Sequence, residues 1–145
     1  MLNLKPFLLS ATKKSITPLV VMGLLGASNV AVADPIEGHW VYYDNQKPKY
    51  VVTISQTAQG FVGVLASGSK YHIGETVLSG ISSLGNGKYS GGKAYNPYTG
   101  SNYDVNLTLN GDTLSMRAYK GLPNFGISST LQRLPKGYTF KNVPR

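Results

Sequence analysis

The chain has 145 residues, 41% of them hydrophobic and only 14% charged, with 17 glycines, 10 tyrosines and no cysteine. Such a composition fits one globular core rich in turns and strands, and it excludes a disordered chain, a collagen and a disulfide-stapled scaffold. Basic residues outnumber acidic ones 14 to 6, a formal charge of +8.

The N-terminus reads as a cleavable export signal over residues 1–33. Lys5, Lys13 and Lys14 form a basic lead, Ile16 to Ala27 is an apolar run, and Ala31-Val32-Ala33 offers the small-x-small pattern cut by a signal peptidase. A membrane anchor would need about 20 apolar residues, whereas this run is broken by Thr17 and Pro18 and soon meets Ser28 and Asn29. The expected mature protein is therefore a single domain, residues 34–145, periplasmic or secreted, with no stable membrane span. Without cysteine it has neither a lipidated thiol nor a disulfide, and packing alone must hold it together. Losing the three leader lysines lowers the net charge to +5. The remaining lysines are scattered without a dense tract to follow a phosphate backbone, so nucleic acid is not the expected partner.

The mature segment divides into short runs of β-favouring residues. Gly38 to Asp44 is aromatic, Tyr50 to Gln56 alternates apolar and polar side chains, and Phe61 to Ala66 follows a glycine. His72 to Leu84 predicts either one strand bent at Gly80 or two short ones. Asn86-Gly87 and Asn110-Gly111 are hairpin signals, because a two-residue turn requires positive φ at both positions. They join Lys88–Ala94 to the strand before it and Tyr103–Leu109 to Thr113–Tyr119, and Ser128 to Leu134 is the last strand. About eight strands of this length, with almost nothing at helical spacing, predict an all-β fold: a small antiparallel up-and-down barrel or a sandwich. An outer-membrane barrel is excluded because Thr53, Ser55, Asp104, Asn106, Thr108 and Ser115 break any lipid-facing apolar band.

The pairing of Gly38-His39-Trp40 near the start with Arg133 near the end resembles the lipocalin-like (calycin) barrels, in which a late arginine covers a Gly-x-Trp strand. The resemblance implies a barrel closed at one end by Trp40 and Arg133. The stretch Lys88-Tyr89-Ser90-Gly91-Gly92-Lys93-Ala94-Tyr95-Asn96-Pro97-Tyr98-Thr99-Gly100, with Tyr103, Leu114 to Gly121 and Phe125-Gly126, is similar to an exported bacterial family known as domain of unknown function 2147. Family members carry an aspartate where this chain has Asn96, an aromatic residue where it has Leu131, and often a central cysteine pair that it lacks. A redox or metal role resting on those cysteines does not carry over.

Catalytic signatures are sparse. Ser67-Gly68-Ser69-Lys70 matches an S-x-x-K pattern but lacks its companion motifs and reads as a turn, and no G-x-S-x-G elbow occurs. Two histidines, His39 and His72, lack metal-ligand spacing, and of the six carboxylates only Glu75 and Asp104 are placed on strands. A non-enzymatic protein with no metal and no cofactor is expected. The inward-facing sets are Tyr50/Val52/Ile54, Val62/Val64, Val77/Ile81 and Val105/Leu107/Leu109 with Leu114/Met116. Trp40, Tyr50, Val52, Ile54, Val105, Leu107, Leu114 and Met116 are the candidate lumen residues for a hydrophobic or amphipathic small molecule. The alternative is a solid barrel that meets an envelope protein or an anionic envelope component through its surface. Its contacts would be Tyr42, Tyr95, Tyr98 and Tyr119 with Lys93 and Lys120.

Overall fold

A computed structural model describes residues 33–68 and 72–139; the expected export signal of residues 1–33, apart from Ala33, and the Ser69-Lys70 pair lie outside these residues. Eight antiparallel strands follow one another round a closed barrel. They are β1 (Gly38–Asp44), β2 (Lys47–Thr57), β3 (Gly60–Ser67), β4 (Thr76–Gly85), β5 (Lys88–Asn96), β6 (Ser101–Asn110), β7 (Thr113–Tyr119) and β8 (Gly126–Arg133). A single 3-10 turn, Pro123–Phe125, interrupts the β7–β8 connection. Closure comes from β1 pairing with β8, where Trp40 faces Arg133 and Tyr42 faces Leu131. That pairing leaves no open sheet edge, and the barrel form of the two expected architectures is the one adopted.

Alternation along the strands assigns the two faces. On β6 and β7, Val105, Leu107 and Leu114 are each about 1% exposed, and Leu107 sits opposite Met116 in the register. Across β1 and β2, Trp40 pairs with Val52, and Tyr42 pairs with and stacks on Tyr50 at 5.0 Å. The core is this inward set joined by Ile36, Ile54, Phe61, Leu78, Ile81, Tyr89 and Leu131. A small second cluster lies on the outer wall, where Val41 and Val51 pack with Tyr43 and Leu134.

One inward assignment is corrected and another is extended. On β3 the buried side chains are Phe61 and Leu65, with Gly63 between them, and Val62 and Val64 face outward. FVGVLA is apolar on both faces, so its pattern cannot choose; the register against β2 chooses, by setting Ile54 opposite Gly63 and Val52 opposite Leu65. Gly63 is the residue that fits, since a Cβ there would meet Val52 at 2.9 Å and Leu78 at 3.1 Å. On β4 Ile81 is buried and Val77, half-buried, packs against the core as expected, while Leu78 beside it is buried as well. The register slips between Leu78 and Ile81 because Gly80, at φ 64°, forms a bulge that inserts one residue and inverts the parity. Thr76 to Gly85 is accordingly one bent strand, and His72 belongs to the loop before it.

Candidate functional site

The two ends of the barrel differ. At one end the segment before β1 turns back beneath the lumen. Ile36 and Trp40 are fully buried there, and the indole Nε1–H donates to the Ile36 carbonyl at 2.8 Å. The Arg133 guanidinium lies 4.3 Å from the Trp40 ring centroid. Its Nη2 and Nη1 donate to the Pro35 and Glu37 carbonyls at 2.6 and 3.2 Å, and its Nε to Asp112 at 3.0 Å. One arginine thus fixes an aromatic face, the N-terminal segment and the β6–β7 turn together. Planar donors in a fixed fork over a π face suit all three tasks.

The opposite end is open. A cavity of about 440 Å³ descends from it between the strands, lined by Tyr50, Val52, Ile54, Leu65, Val77, Leu78, Ala94, Leu107, Leu114, Met116 and Leu131. At its mouth stand Lys49, Tyr95, Asn96, Pro97, Tyr98, Tyr103, Ala118, Ile127 and Ser129. Its size lies within the range of about 300–1,000 Å³ usual for small-molecule sites, and its walls are mostly apolar with a few polar groups near the rim. Burial, and then the neighbouring Tyr42, push the Tyr50 phenol up to about 12, so it stays a neutral donor inside the lumen.

With this geometry in view, comparison with known proteins gives a consistent answer. The family model for an uncharacterized protein conserved in bacteria, DUF2147, matches residues 38–133. The chain belongs to that family. Among solved structures it is similar to HP1028 from Helicobacter pylori, described as belonging to the lipocalin family. The likeness has 20% identity and a TM-score of 0.56, and it covers 70% of this chain and 84% of that one. No curated protein matches the chain. This DUF2147 member is thus a lipocalin-like, all-β barrel of eight antiparallel strands.

Six of the eight lumen candidates, Tyr50, Val52, Ile54, Leu107, Leu114 and Met116, line the cavity. Trp40 and Val105 do not: the indole lies below the cavity with Arg133, and Val105 packs within the wall. The residues named for the outer surface separate. Tyr95 and Tyr98 stand at the mouth, because Asn96 to Gly100 turns the chain over the rim there. Tyr42 is half-buried against the core through its stack on Tyr50, so it is no free outer contact. Tyr119 is half-buried, Lys93 is paired with Asp104, and Lys120 lies 5.0 Å from the Tyr103 ring centroid.

Sequence reasoning missed Leu65, Leu78, Ala94 and Leu131 as lining residues. Leu65 was hidden by the ambiguous β3 pattern, and Leu78 and Ala94 by bulges. The signal for Leu131 was present, since it lies two residues before Arg133 and so on the same face. Also missed was the 2.6 Å pair between His72 Nδ1 and Glu75, set beside the Tyr98 ring, which links the β3–β4 and β5–β6 loops over the mouth. No three His, Asp or Glu side chains gather to hold a metal ion among the described residues.

Proposed function

We propose that this protein is a non-enzymatic binding protein of the periplasm or exterior, exported by its leader, which takes a hydrophobic or amphipathic small molecule into the barrel lumen. The observation that carries the reading is the 440 Å³ apolar cavity, sealed below by Ile36, Trp40 and Arg133 and open above. Apolar walls reward a hydrocarbon or aromatic portion at about 25 cal/mol per Å² removed from water. The polar atoms cluster toward the mouth, where Tyr95, Tyr98, Tyr103, Asn96 and Lys49 stand. An amphipathic guest would therefore lie tail down and head at the rim, and Lys49 and Lys120 favour an anionic head. The space left in the lumen disfavours the solid-barrel alternative, whose premise is an interior filled by side chains.

Native mass spectrometry of gently extracted protein should show a bound small molecule, and the emptied protein should take up a fluorescent apolar probe. Met116→Trp should abolish uptake while the fold survives, because Met116 lines the cavity and is only half-buried. A bare mass with no probe uptake by the wild type would refute the proposal.

A further inference from the structure

Among the described residues seven large apolar side chains are well exposed, and five of them lie at the open end: Ile73, Tyr98, Leu122, Phe125 and Ile127. They come from three neighbouring features of that rim, the β3–β4 loop, the β5–β6 turn and the β7–β8 connection leading into β8. Isolated exposed apolar residues need no explanation, but a collar confined to one pole does. Phe125 and Leu122 are 76% and 59% exposed, and the chain holds them out. The Phe125 N–H donates to the Leu122 carbonyl at 3.0 Å, and Arg117 braces the turn by donating to the Pro123 carbonyl at 2.7 Å and to Ser128 at 2.9 Å. Gly126 then presses the strand against β7, where a Cβ would meet the Ala118 carbonyl oxygen at 2.4 Å.

Charge is distributed to match. Toward the mouth, among the described residues, Lys47, Lys49, Lys93, Arg117 and Lys120 accompany Asp44, Glu75 and Asp104, an excess of two positive charges. Toward the closed end, among the described residues of the barrel, Lys88, Arg133 and Lys136 stand against Glu37 and Asp112, an excess of one. Leucine, isoleucine, phenylalanine and tyrosine on projecting turns, with a cationic surplus beside them, form an interfacial surface for an anionic bilayer. A fluid bilayer can receive separate projections around an opening, which a rigid protein partner could do only with matching relief.

We infer that the open rim docks on anionic lipid membranes, with Leu122, Phe125 and Ile127 entering the headgroup boundary and Lys47, Lys49 and Lys120 engaging lipid phosphates. Docking in this pose sets the cavity mouth against the bilayer, and it does not require an occupied lumen. The test is flotation with vesicles of mixed phosphatidylglycerol and phosphatidylcholine, compared with phosphatidylcholine alone. Wild type, Leu122→Ser/Phe125→Ser and Leu84→Ser are prepared identically, so any N-terminal contribution is common to all. Leu84 is equally apolar and 66% exposed, but lies near the closed end.

Wild type and Leu84→Ser should float with the anionic vesicles and be released by salt, and the double variant should bind at least about tenfold more weakly. Phe125→Trp should show a blue-shifted emission on adding the same vesicles. Met116→Trp should float like wild type although it takes up no probe, which separates docking from lumen binding. An unchanged Phe125→Trp emission, equal loss in Leu84→Ser, or capture by an envelope protein with no vesicle binding would overturn the inference.

Discussion

Replacing Arg133 tests the closed end most directly. In Arg133→Met the aliphatic stem is preserved but the cationic face over Trp40 and three hydrogen bonds are lost. The cation–π contact on a fully buried indole contributes about 1–2 kcal/mol. The bonds to the Pro35 and Glu37 carbonyls contribute about 1 kcal/mol each once water can replace them in part. The ion pair adds almost nothing, since Asp112 is 81% exposed. The expected loss is therefore about 3–4 kcal/mol, and Arg133→Lys should recover less than half of it because an ammonium cannot span both carbonyls and the ring. Urea unfolding followed by tryptophan emission measures this without labelling, because Trp40 is the sole tryptophan. The native emission of Arg133→Met should also shift to the red as water reaches the indole. Asp112→Ala should change stability by less than about 0.5 kcal/mol. If Arg133→Met unfolds at the wild-type midpoint with unshifted emission, the assigned role of the guanidinium is wrong.

The Tyr50 phenol gives a pH prediction. Its proton leaves the unfolded chain near 10 but the folded chain only near 12, so the folded state holds the extra proton between those values. Stability is complete below pH 10 and falls by about 2 kcal/mol as pH rises to 12, and Tyr50→Phe should lose correspondingly less in alkaline urea melts. On β5, Gly92→Ala should cost about 2–4 kcal/mol, because the new methyl would lie 2.1 Å from the Ser79 carbonyl oxygen. Gly91→Ala meets nothing within 4 Å and carries only the strain of φ 87°, about 1 kcal/mol, so a chemical-denaturation ranking that reverses these two would refute the close-approach argument. Met116→Trp should leave the unfolding midpoint near that of wild type while removing probe uptake, and retained uptake would show that the guest lies elsewhere.

Local patterning determined much of this protein. Asn86-Gly87 gave its hairpin away because few other residues take the required φ at both positions. The second hairpin forms as expected but turns one residue later, on Gly111-Asp112, with Asn110 paired to Thr113 and only Gly111 at positive φ. The alternation in Tyr103–Leu109 and Thr113–Tyr119 assigned both faces before any pairing was known. Gly38-His39-Trp40 and Arg133 pointed to a closed end, and the structure places the guanidinium over the indole across the β1–β8 seam. The tertiary structure alone decided what depends on register. The bulges at Gly80 and around Gly91 shift parity by one residue, so Leu78 and Ala94 enter the lumen although strict alternation from the neighbouring strand positions places them otherwise. FVGVLA offers two apolar faces, and only Ile54 across the pair selects one. The rim is likewise assembled from turns far apart in sequence, so neither the cavity nor its apolar collar has a local signature: both are properties of which strand ends meet when the sheet closes.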